Sequence, residues 1–113
     1  MPAKSPPPKA SNASAQRRKS LYRPENAALL ASFRELRVAA KLSQQDFADR
    51  LGSNQSFVSA VEQGVVRLDA VQIRDWCAAA GASMQAWLKV FEALLEAREA
   101  LRDDHAARGQ DKT

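Results

Sequence analysis

The chain has 113 residues, of which 45% are hydrophobic and only 6% aromatic, and it carries a formal charge of +4. That is enough for one compact domain, and the shortage of aromatic residues argues for helices over sheet. A lone cysteine, Cys77, excludes an internal disulfide and a cysteine-based zinc site. No run reaches the roughly 18 apolar residues of a membrane span, and the N-terminus lacks the apolar stretch of a secretion signal. The expectation is a cytoplasmic, all-α protein without metal or cofactor.

The positive charge is unevenly placed. Lys4, Lys9, Arg17, Arg18, Lys19 and Arg23 precede Glu25 with no acid among them, whereas 11 basic residues face all 13 acidic ones from Glu25 onward. Residues 1–23 also hold four of the five prolines and little that could be buried, which reads as a disordered basic arm. Pro24 and Glu25 suit the first turn of a helix. Leu29, Phe33, Leu36 and Ala40 then recur at spacings of three and four, predicting one buried stripe on a helix that ends near Lys41.

Ser43, with Asp46 three residues later, predicts the start of a second helix whose inward face is Phe47, Ala48 and Leu51. Gly52 ends it, and Asn54 caps a third, short helix with Val58 and Val61 inward and Gly64 as its terminator. Asp69 and Gln72 open a fourth helix with Val71, Ile73, Trp76 and Cys77 on its apolar side. Ser83 caps a fifth, carrying Met84, Trp87, Leu88, Phe91, Leu94, Leu95 and Leu101 and continuing to about Asp104. The domain therefore spans residues 24–104, followed by a polar tail at 105–113.

Two short helices, a glycine-containing turn and a second helix that begins with small polar residues have the form of a helix-turn-helix between Ser43 and Gly64. Gly52 tolerates the left-handed backbone of a sharp turn. Ala48 lets the helices approach, and Val58 and Val61 anchor the second helix so that Gln55, Ser56, Ser59 and Ala60 face outward. Gln can contact adenine N6 and N7 together in a major groove, and Ser can bond several base edges.

The run Ser43-Gln44-Gln45-Asp46-Phe47-Ala48, then Leu51-Gly52, Gln55-Ser56-Phe57-Val58-Ser59 and Glu62-Gln63-Gly64 resembles the phage repressor and Cro family of helix-turn-helix domains, also called the XRE family. The resemblance extends over about Leu29 to Leu88 and implies a five-helix, lambda-repressor-like DNA-binding domain. It implies base contacts from Gln55 and Ser56, with Ser59 and Ala60 next along the exposed face. It implies backbone contacts from Gln44, Gln63 and Arg67, to which Asn54 and the arm residues Arg17, Arg18 and Lys19 are added. Gln44 is also expected to brace the recognition helix, and Arg37 and Glu62 to form a partly buried ion pair. Ala60 departs from the family's commoner long polar residue, which concentrates readout on few side chains.

In the fifth helix Trp87, Phe91, Leu94 and Leu101 lie on a coiled-coil-like stripe interrupted by Arg98, which predicts homodimerisation. The expected function is a transcriptional regulator, most simply a repressor on an inverted-repeat operator in duplex DNA. An antitoxin that binds both DNA and a partner protein, and a scaffold module that binds no DNA, are the alternatives. Cys77 reads as a small buried hydrophobe and His105 as a solvated residue. No nucleophile with a basic partner and no phosphate loop is present, so an enzyme is not expected.

Overall fold

The computed structural model describes residues 23–111, with side chains described through Arg102. Five helices follow in order: α1 Pro24–Ala39, α2 Gln44–Leu51, α3 Gln55–Gln63, α4 Ala70–Ala79 and α5 Met84–Asp111. Among the described residues there is no strand, no helix long and apolar enough to cross a membrane, and no His, Cys, Asp and Glu cluster that could hold a metal ion. The basic residues Arg17, Arg18 and Lys19 lie outside the described residues, as does the side chain of His105.

Local chemistry sets the helix ends. The side chains of Ser43 and Asn54 accept hydrogen bonds from the backbone N–H of Asp46 and Phe57. Asp69 and Gln72 form a reciprocal capping box, and Ser83 Oγ accepts from the N–H of Ala86 at the head of α5. Each satisfies a backbone donor that has no partner within its own helix. Gly52 and Gly64 close α2 and α3 with φ of 70° and 84°, a left-handed geometry that is strained for any residue with a Cβ.

Helix α1 stops at Ala39, two residues before the expected Lys41. Lys41 itself adopts φ 62°, so its left-handed backbone belongs to the turn into α2.

The core is one cluster built on Phe33, Leu36, Phe47, Ala48, Val58, Val61, Trp76, Cys77 and Ala79. Trp76 is its centre, with ring centroids 5.5 Å from Phe33 and 4.6 Å from Phe47, tilted by 52° and 57°. Its indole N–H donates to the carbonyl of Phe33 at 3.0 Å, so the largest buried ring leaves no donor unpaired. Val71 departs from expectation: it is 70% exposed. Two residues along a helix correspond to a rotation of about 200°, so once Ile73 packs on the core Val71 must face solvent.

Helix α5 packs along α1. Trp87 stacks between Phe33, at 6.2 Å, and Phe91, at 5.9 Å, and its indole N–H donates to Ser32 Oγ at 2.8 Å. Ser32 is fully buried and its hydroxyl donates a hydrogen bond to the Leu29 carbonyl. Phe91 in turn lies against a cavity shared with Leu29 and Asn26. Partners on α1 recede as α5 advances, so the two helices run antiparallel. Helix α5 continues to Asp111, beyond the expected end near Asp104 and into the segment read as a polar tail. Its 28 residues span about 42 Å against about 24 Å for the 16 of α1. Much of the C-terminal half of α5 therefore extends past α1.

Candidate nucleic-acid interface

The geometry of α2 and α3 follows from the three residues between them and from what those helices bury. Phe47 and Ala48 on α2 and Val58 and Val61 on α3 are fully buried, which fixes the rotation of both helices. Gln55 and Ser56, at the N-terminal end of α3, are exposed. Ser59 and Ala60 are half-buried one turn further along. The Ser59 hydroxyl accepts from Gln63 Nε2 at 3.1 Å, which leaves its own proton free to donate. Asn54 and Gln63 are exposed at the two ends of the helix.

A hydrogen-bonded chain runs beneath this surface. Glu62 binds Arg37 through two contacts, Nε to Oε2 at 2.6 Å and the second Nη to Oε1 at 3.0 Å, with side chains only 7% and 12% exposed. Arg37 also donates to the Leu42 carbonyl at 2.9 Å, tying α1 to the turn before α2. Glu62 Oε1 accepts again from Gln44 Nε2 at 3.0 Å, and Gln44 Oε1 accepts from Gln55 Nε2 at 2.7 Å.

The charge on Glu62 thus sets the orientation of Gln44, because a carboxylate can only accept. Gln44 must turn its amide nitrogen inward, which presents its oxygen to Gln55. Gln55 in turn keeps its own oxygen and one N–H for a partner outside the protein. A side chain already held in one rotamer loses less entropy on binding.

The other expected backbone contact, Arg67, lies in the segment between α3 and α4 and is exposed. It donates to Asn26 Oδ1 at 2.8 Å, placing it at the start of α1. The structure thus brings Gln44, Asn54, Gln55, Ser56, Ser59 and Gln63 onto the paired helices α2 and α3 and sets Arg67 beside α1.

Of the residues on the stripe of α5, Trp87 and Phe91 are half-buried in aromatic contacts within the chain. Leu94 is half-buried and Leu101 is 63% exposed. Sequence reasoning did not single out Asn26 or Ser32, two buried polar residues. Their only signal was position, since they lie on the α1 stripe beside Leu29 and Phe33.

Cys77 is 1% exposed, and burial pushes its thiol pKa up, as befits an inert packing residue. At the surface, a hydrogen bond from Arg23 holds the Glu25 carboxyl below its ordinary range.

A helix-turn-helix domain profile matches residues 28–87. The structure of an XRE-family-like protein from Pseudomonas syringae pv. tomato str. DC3000 is 37% identical, with a TM-score of 0.55 over 74% of this chain and 96% of that one. The clp gene regulator ClgR from Corynebacterium glutamicum shares the fold at 21% identity, with a TM-score of 0.65 over 71% of this chain and 85% of that one. No curated protein sequence matches the chain. With the profile covering more than half its length and a 37%-identical XRE-family-like structure matched over 74% of it, the chain belongs to the XRE-type family of helix-turn-helix DNA-binding proteins.

Proposed function

We propose that the protein is a transcriptional repressor that reads an inverted-repeat operator as a homodimer, with α3 in the major groove. The observation that carries this reading is the chain from Arg37 through Glu62 and Gln44 to Gln55. It holds an exposed amide at the head of α3 with hydrogen-bonding capacity to spare. Gln55 and Ser56 read base edges, and Ser59 and Ala60 complete the contact face. Gln44, Asn54, Gln63 and Arg67 bind the DNA backbone, and Arg17, Arg18 and Lys19 add sequence-independent affinity.

The dimer is formed by the projecting part of α5, where Leu94 and Leu101 lie seven residues apart on one side of the helix. Trp87 and Phe91, already stacked within the protomer, support that surface from below. A two-fold dimer separates its recognition helices by about 34–36 Å, one turn of DNA.

The test is selection of duplexes from a random pool by the purified protein. An inverted repeat with half-sites one turn apart is expected. Gln55→Ala should weaken binding to the selected site by about 1–3 kcal/mol, with little change on unrelated DNA. Leu94→Glu combined with Leu101→Glu should give folded monomers that lose the repeat. Enrichment of no sequence at all would refute the reading.

A further inference from the structure

A second site lies away from α3, where the N-terminus of α1 meets α5. A cavity of about 270 Å³ there is lined by Arg23, Glu25, Asn26, Leu29, Arg67 and Phe91. Asn26 is 5% exposed. Its Oδ1 accepts from Arg67, which fixes the amide orientation and leaves Nδ2 as a buried donor with no acceptor among the described residues. A buried N–H without a partner is destabilising, so the fold carries an unmet donor beside an open cavity.

We infer that this cavity binds a small carboxylate with an apolar body. Arg23 is neutralised by Glu25 at 3.3 Å, whereas no acidic side chain pairs with Arg67 among the described residues. Among the lining residues one positive charge is left uncompensated, which calls for a monoanion. A carboxylate oxygen accepts from Asn26 Nδ2 and from the Arg67 guanidinium, at the N-terminal end of α1, where the helix dipole favours negative charge. Leu29 and Phe91, both half-buried, supply the apolar wall for the rest of the molecule. Such a ligand would join α1, the segment after α3 and α5, linking the recognition helix to the projecting one.

The experiment titrates sodium benzoate into the full-length protein, with sodium chloride and inorganic phosphate as matched controls, and follows the Asn26 side-chain amide by ¹⁵N NMR. Saturable movement of the Asn26 signals by benzoate is expected. Arg67→Met should weaken it about ten-fold, the equivalent of one hydrogen bond to a charged group. Glu25→Gln, on the surface, should tighten it by removing the competing negative charge. A purely structural role for these residues predicts no tightening. Equal movement by phosphate would overturn the apolar-body assignment, and no movement beyond the chloride control would overturn the site. No arm of the test uses DNA, so its failure leaves the operator reading intact.

Discussion

Replacing Glu62 by alanine tests the support of the recognition helix most directly. The carboxylate accepts three hydrogen bonds, two from Arg37 and one from Gln44. Its loss leaves the Arg37 guanidinium, on a side chain only 12% exposed, holding just the Leu42 carbonyl. An exposed ion pair is worth about 0–1 kcal/mol, while breaking a fully buried one costs about 3–5 kcal/mol. The burial here is close to the second limit, but solvent still reaches Arg37, so about 3 kcal/mol is expected. For a domain of this size each kcal/mol moves the melting temperature by about 4–8 °C, giving a fall of about 12–24 °C by circular dichroism. Glu99→Ala, at an exposed position on α5, serves as the control and should change little. Glu62→Gln, which keeps the shape but removes the charge, should fall between the two and should also weaken operator binding, because Gln44 is no longer compelled to face its oxygen toward Gln55. A loss below about 1 kcal/mol for Glu62→Ala, comparable to an exposed pair, would refute the argument.

Other substitutions separate backbone strain, hydrogen bonding and burial. Gly52→Ala should destabilise by about 1–2 kcal/mol in urea titration, since its φ is +70° and nothing within 4 Å would meet the added Cβ; the cost is conformational alone. Trp87→Phe keeps an aromatic ring against Phe33 but removes the donor to Ser32, and should cost about 1 kcal/mol because the Ser32 hydroxyl retains its bond to Leu29. Cys77 should react with a thiol reagent only as fast as the protein opens. Its pKa is raised by burial, so the fold favours the neutral thiol, and that contribution is present below the ordinary pKa of 9.0 and lost as pH rises through the folded value. Wild-type stability should accordingly fall more steeply above pH 9 than that of Cys77→Ala, and parallel slopes would contradict the assignment.

Much of this architecture is local and therefore legible in the sequence. Ser43, Asn54 and Asp69 act on N–H groups three residues away, and Gly52 and Gly64 act through their own backbone. The five helices and most of the inward face of α2 and α3 follow from those signals and from the three-and-four spacing of apolar residues. Arg37 and Glu62, 25 residues apart, were paired through the family resemblance, since neither periodicity nor composition joins them. Other features depend on which helices meet. The bonds from Arg67 to Asn26, Trp76 to Phe33 and Trp87 to Ser32 cross 41, 43 and 55 residues. Periodicity shows which side of a helix is apolar but not which neighbour it faces. It therefore gave no warning that α1 would absorb Trp87 and Phe91 before any second copy could, or that Asn26 would be buried with a donor to spare. Those outcomes were decided by the antiparallel packing of α5 on α1, because burying the aromatic ladder fixes the rotation of both helices and with it the surroundings of every polar residue beside it.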